Sequence, residues 1–158
     1  MTKEKIQEFT FRITKANKTE MIAILYDMAL TYLEDAGAFL ISGECALFRN
    51  EISRAKSVVK ELMNSVNTSA DMGMNFLSIY IYCESELTKA YLDFCPENIE
   101  NVSKIFRSLK EAYDLLGKKD TSGAVMGNTE KIYSGLTYNR SLMNENVSDA
   151  TSNRGFLA

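Results

Sequence analysis

Ile13-Thr14-Lys15-Ala16-Asn17-Lys18-Thr19-Glu20-Met21, running on into Ile24-Leu25-Tyr26-Asp27-Met28-Ala29-Leu30, is the stretch that decides the fold. Asn17 can cap a helix, and Glu20, three residues on, can reach back to the cap amide. At about 100° per residue, the following two dozen residues leave one narrow polar strip: Glu20, Asp27, Thr31 and Glu34. Met21, Leu25, Met28, Tyr32 and Phe39 form one apolar stripe, and Ile22, Ala29, Leu33, Ala36 and Leu40 a second beside it. Such a helix is either central in its bundle or touches a core on one side and a partner on the other.

Three more amphipathic segments follow. Ser42-Gly43 ends the first, over about 18–41. The second runs over about 46–66, with the seam Phe48, Ile52, Ala55, Val59, Leu62, Val66 at near-heptad spacing. Asn67-Thr68-Ser69 breaks it, and the third segment covers about 70–94, with Phe76, Ile79, Tyr80, Cys83, Leu87 and Tyr91 on its core face. The fourth opens on Pro96, tolerated in a first turn, and carries the seam Ile99, Val102, Phe106, Leu109, Tyr113, Leu116 up to Gly117. Short connections between long helices predict antiparallel neighbours, hence an all-α, up-down-up-down four-helix bundle over 18–117. Residues 1–17 form an arm and cap. Phe9, Phe11 and Ile13 alternate with polar residues, which predicts a short extended arm with one apolar edge. Val125, Met126, Ile132, Tyr133 and Leu136 fit one face of a short fifth helix within 118–138, and the polar composition of 139–158 predicts a disordered tail.

The composition narrows the function. Hydrophobic content is 46% and net charge −3, with neither a basic excess nor a basic stripe, so no nucleic-acid partner is expected. The chain has no His, which removes Ser-His and Cys-His nucleophile pairs and the Glu-x-x-His motif of di-iron bundles. Cys45, Cys83 and Cys95 are unclustered, which fits a reducing cytoplasm and argues against a zinc site; Cys83 reads as a small buried hydrophobe. Residues 1–8 lack the apolar run of a signal peptide, and no stretch approaches the 18 apolar residues of a membrane span. The region from Gly123 to Gly127 lacks a phosphate loop's Gly-Lys-Ser/Thr. No cofactor, metal or catalytic residue is expected, and the chain reads as a binding protein rather than an enzyme.

Met74, Ile81 and Leu92 lie about a quarter-turn from the core face of the third helix. Either the arm or the fifth helix covers this shoulder, or it is a groove for a partner segment. Met21, Met28, Met63, Met72 and Met74 are either core filler or an adaptable surface. Tyr82 points away from the core stripe and is either ordinary surface or a contact residue.

Asn17-Lys18-Thr19-Glu20 with Leu25-Tyr26-Asp27-Met28-Ala29, then Lys60-Glu61-Leu62-Met63-Asn64-Ser65-Val66, then Asn75, Phe76, Leu77, Ile79, Tyr80, Tyr82, Leu87 and Ala90 occur in order across Ile13 to Leu116. In these features the chain resembles the FliS family of flagellar export chaperones. It departs at Met28, where the family often has Gly, and at Ile81, where the family has an acidic residue; both make the surface greasier. The resemblance implies a cytoplasmic protein that holds the C-terminal segment of flagellin, prevents premature polymerisation and helps deliver it to the export gate, whose components are then further partners. The residues singled out for client contact are Ile24, Leu25, Tyr26, Met74, Tyr80, Ile81 and Tyr82, with Phe9, Phe11 and Ile13 as a groove-covering arm. The free protein is expected as a monomer or weak homodimer. The alternative is a homo-oligomeric helical adaptor with no folding client.

Overall fold

The computed structural model describes residues 1–126, and these are all-helical: α1 (Lys3–Lys15), α2 (Lys18–Ser42), α3 (Cys45–Ser65), α4 (Gly73–Asp93) and α5 (Pro96–Gly117). Helices α2 to α5 form the bundle. α2 begins in the expected capping box: the Asn17 side chain accepts the Glu20 amide at 2.8 Å, and Glu20 Oε2 accepts the Asn17 amide at 3.0 Å. It ends at Gly43, whose φ of 76° is a left-handed conformation that glycine adopts without a Cβ penalty. Its amide donates to the Leu40 and Phe39 carbonyls.

α2 packs on both α3 and α5, and α4 packs on those same two helices. α2 and α4 therefore stand diagonally across the bundle. The α3 seam is buried as its spacing requires: Phe48, Ile52, Ala55, Val59 and Leu62 are fully enclosed. They meet Tyr26, Ala29, Leu33 and Ala36 of α2, Tyr80, Cys83, Leu87 and Ala90 of α4, and Ile99, Val102 and Phe106 of α5 in one cluster. Each fully buried large side chain of this kind stabilises by about 1.5–3 kcal/mol, so the core carries the fold without staples.

The N-terminal segment differs from the expected extended arm: it is the helix α1. The alternation of Phe9, Phe11 and Ile13 is equally a helical pair, Phe9 and Ile13 at i, i+4, continued by Ala16. Local chemistry favours the helix. Thr2 caps it by accepting the Lys5 amide, Glu4 sits in the first turn, and Arg12 and Lys15 sit in the last. Phe9 and Ala16 are buried with Ile24 in a second, smaller apolar cluster, while Phe11 turns outward with the Lys15 ammonium 4.2 Å from its ring centroid. α1 lies antiparallel on α2. Two acidic residues of α2 anchor it: Arg12 makes a 2.7 Å ion pair with Asp27 of the polar strip, and the Met1 ammonium lies 2.7 Å from Asp35, outside that strip.

After Gly117 the chain turns and continues without helix to Met126; the remainder of the expected fifth helix within 118–138, and the tail 139–158, lie outside the described residues. Asp120 accepts the Thr19 hydroxyl at 2.6 Å, its carbonyl accepts the Asn17 side-chain amide, and the Val125 amide donates to the Ala16 carbonyl at 3.0 Å. This segment thus clasps the joint between α1 and α2. Among the described residues no helix is long and apolar enough to cross a membrane.

Candidate binding clefts at the α1–α2 joint

Two cavities open near the joint-bearing end of the bundle. The larger, about 540 Å³, lies between α1, α2 and the end of α5, with Phe11, Ala16, Ala23, Ile24, Tyr113 and Gly117 among its lining residues and Arg12, Lys15 and Lys118 at its edge. The smaller, about 300 Å³, is walled by Ile22, Val66, Met72, Phe76, Tyr80 and Tyr113, with Lys18 and Asn67 also lining it. Both share Tyr113, which stands between them.

The helices set these walls. Gly73 opens α4 against the preceding turn so closely that a Cβ there would lie 2.1 Å from the Asn67 carbonyl oxygen; only glycine permits that approach. The turn so formed brings Val66, Asn67 and Met72 over the end of the core. Gly117 lets α5 pass the Glu20 side chain, which a Cβ would meet at 3.2 Å.

Beneath both cavities lies a tyrosine cluster. The Tyr26 and Tyr80 hydroxyls are 2.5 Å apart, and the Tyr26 ring packs on Phe106 and Tyr113 with centroids 5.6 and 5.7 Å away. Burial raises the pKa of both phenols, that of Tyr80 to about 12. It likewise pushes the Cys83 thiol up to about 12, so the thiol stays protonated and acts as a packing group.

The residues singled out from the sequence fall into three places. Ile24 is buried under α1, and Leu25 is half-buried against the main core. Tyr26 and Tyr80 are core residues, at 0% and 2% exposure, although Tyr80 also lines the smaller cavity. Met74, Ile81 and Tyr82 are exposed on α4, Met74 and Ile81 in line with Leu92 and Tyr82 about a quarter-turn from them. The α2 and α4 residues are on diagonal helices and do not form one patch. α1 packs on α2, where Phe9 and Ile13 cover the Met21–Ile24–Met28 face. Met72 and Met74 are exposed at the same end, while Met21, Met28 and Met63 are partly buried. Sequence reasoning placed Tyr113 only in a core seam. Its position as the wall between two cavities depends on the turn at Gly73, which periodicity does not report.

Compared with known proteins, residues 2–120 match the family model described as Flagellar protein FliS. No curated protein matches the chain.

Proposed function

Because the chain belongs to the FliS family, a family of flagellar export chaperones, we propose that it is a cytoplasmic chaperone for the C-terminal segment of flagellin, keeping that segment from polymerising and assisting its delivery to the export apparatus. One observation carries the reading beyond the family: the second apolar cluster, in which Ile24 is enclosed by Phe9 and Ala16 outside the main core. An apolar face covered by a helix of 13 residues is a face that can be uncovered. Helices so short are marginal on their own in water, so α1 persists through its docking. A disordered amphipathic client that folds on binding needs a long apolar surface to offset its ordering cost. The face of α2 about Ile24 that α1 covers, with the cavities about Tyr113 beside it, supplies one, while Met74, Ile81 and Tyr82 on α4 offer a separate apolar contact.

In this reading α1 is displaced by the client and swings about the joint at Ala16 and Asn17. The test is calorimetric titration with the C-terminal segment of the same organism's flagellin, for the intact chain and for a chain lacking residues 1–12. Tight binding with a large negative heat-capacity change, strengthened by the truncation, supports the reading. A folded, monodisperse protein that binds no such segment refutes it. The exposed Met74–Ile81–Leu92 stripe favours a second reading, a homo-oligomeric adaptor. Light scattering with and without the flagellin segment separates the two: the adaptor is an oligomer whose mass does not respond to the segment.

A further inference from the structure

We propose that Asp35 and Glu51 form a receptor for one lysine side chain of the client, filled by the Met1 ammonium while α1 is docked and by the lysine once α1 has left. The proposal rests on the chaperone reading and deepens it by naming a charged group that the displacing segment carries.

The two carboxylates reach one point from different helices, Asp35 from α2 and Glu51 from α3. The Met1 ammonium lies between them, 2.7 Å from Asp35 Oδ2 and 3.6 Å from Glu51 Oε2. Glu51 borders the enclosed seam residues Phe48, Ile52 and Ala55 and is itself only 5% exposed. A charge so placed is costly unless it is paired and hydrogen-bonded. Its Oε1 has the guanidinium of the exposed Arg54 at 3.9 Å, which also lies over the Tyr32 ring. Its Oε2 is buried and, among the described residues, accepts no hydrogen bond.

That orphan oxygen faces a cation which does not quite reach it. A charge-assisted N–H···O bond spans about 2.7–2.9 Å, a distance that Asp35 attains and Glu51 does not. The Met1 ammonium is fixed to the backbone just ahead of α1, so the seat of α1 sets its position. A lysine ammonium carries three rotatable donors on a flexible four-carbon stem and can settle between both oxygens. The docked state thus leaves unmade a bond that an incoming lysine makes. When α1 swings out, it withdraws the ammonium as well. Removing one partner of a buried ion pair leaves an uncompensated charge. A displacing segment with only apolar side chains would meet that penalty; one with a lysine at this point would not. The group seated here is a primary ammonium, which favours lysine over a planar guanidinium.

The test uses the full chain with Phe9→Ala and Arg12→Ala, which remove the buried ring and the Asp27 ion pair that hold α1. The probe is butylammonium, a lysine side chain without its backbone, with butanol as the uncharged comparison. NMR of the Glu51 and Asp35 carboxyl carbons reads occupancy, and the exposed Glu100 reports general ion pairing. Butylammonium is expected to give saturable shifts at Glu51 and Asp35 and none at Glu100, and butanol none at all. Where α1 stays seated, the probe competes with Met1, and the same shifts accompany faster amide exchange along α1. Glu51→Gln, read at Asp35, and Asp35→Asn, read at Glu51, each weaken binding about tenfold. Asp35 is partly exposed, so its variant carries the comparison if Glu51→Gln does not fold. No saturable shift at Glu51, equal shifts at Glu100, tighter binding of butylguanidinium, or unchanged binding in the variants overturns the proposal. Because butylammonium contains nothing of flagellin, its failure alongside intact flagellin binding removes the receptor and leaves the chaperone reading. Butylammonium binding without flagellin binding keeps the receptor and overturns the client as the source of the lysine.

Discussion

Phe9→Ala tests whether α1 covers a binding face. Phe9 is 6% exposed and packs with Ala16 and Ile24 in a cluster separate from the main core. Burying a phenylalanine side chain contributes about 1.5–3 kcal/mol. Truncating one in a rigid core costs more, because a cavity remains. Here α1 can leave its seat, so the loss is limited to the free energy of docking. Taking about 2 kcal/mol for the lost burial, the ratio of docked to undocked α1 falls about 30-fold. A client that binds only the undocked state has an apparent Kd equal to its intrinsic Kd divided by the undocked fraction. Its affinity for Phe9→Ala therefore rises by up to about 30-fold, with the gain shrinking as the undocked state becomes dominant. Calorimetry with the flagellin C-terminal segment gives the affinity, and amide hydrogen exchange along Lys3–Lys15 shows whether α1 has lost its seat. If α1 exchanges freely in the variant and the client binds no more tightly than before, α1 is not a competitor. If it binds more weakly, α1 belongs to the site itself. Either result refutes the reasoning.

Three further outcomes follow from local geometry. Asn17→Ala removes both the capping bond to Glu20 and the side-chain contact to the Asp120 carbonyl, and thermal or urea melts should show a loss of about 1 kcal/mol or more. Gly73→Ala forces a Cβ to within 2.1 Å of a backbone oxygen and should cost about 1–3 kcal/mol or more, whereas Gly37→Ala, inside α2 with nothing within 4 Å, should stabilise by about 0.5–1 kcal/mol; melts of the pair check both signs. The Asp120 carboxyl is held down to about 2 by the Ser122 side chain, the Thr19 hydroxyl and the Ser122 amide. A depressed folded pKa stabilises the charged clasp above the ordinary value of 3.8, and that contribution is lost as pH falls from there through about 2. NMR titration of Asp120 should give a midpoint near 2, and Thr19→Val should move it upward.

The bundle was legible because its signals are long. Phe48 through Leu62 repeat over four turns, and a pattern of that length has one solution: each residue on the seam is enclosed. The Asn17–Glu20 box is likewise local chemistry, readable from two residues at the right distance. Phe9, Phe11 and Ile13 are too few to separate a period of two from a pair at i, i+4. The signs that settle the matter, a Thr2 cap with Glu4 early and Arg12 and Lys15 late, were present in the same residues. The clefts were hardest to read. Ile24 and Phe9 find each other only because α1 folds back along α2, and Tyr80 meets Tyr26 across 54 positions of chain. The sequence left open whether the shoulder of Met74, Ile81 and Leu92 is covered by the arm or the fifth helix or stands free; among the described residues these three are exposed, because α1 packs on α2 instead.

The diagonal arrangement of α2 and α4 has a consequence for how the molecule opens. α2 is held by α1, α3 and α5, whereas α4, among the described residues, packs mainly on α3 and α5 and reaches α2 through the Tyr80–Tyr26 contact. The ends of α4 are also weakly finished: Met72 supplies no side-chain bond at its start, and Phe94 closes it with a φ of 55°, a conformation costly for a residue with a Cβ. Local unfolding draws on such elements first. The bundle thus has a stiff spine and a loose rib. Partial opening should begin at α4, with its amides the first of the four bundle helices to trade their hydrogens for deuterium, and proteases should cut there while the α2 spine is still intact.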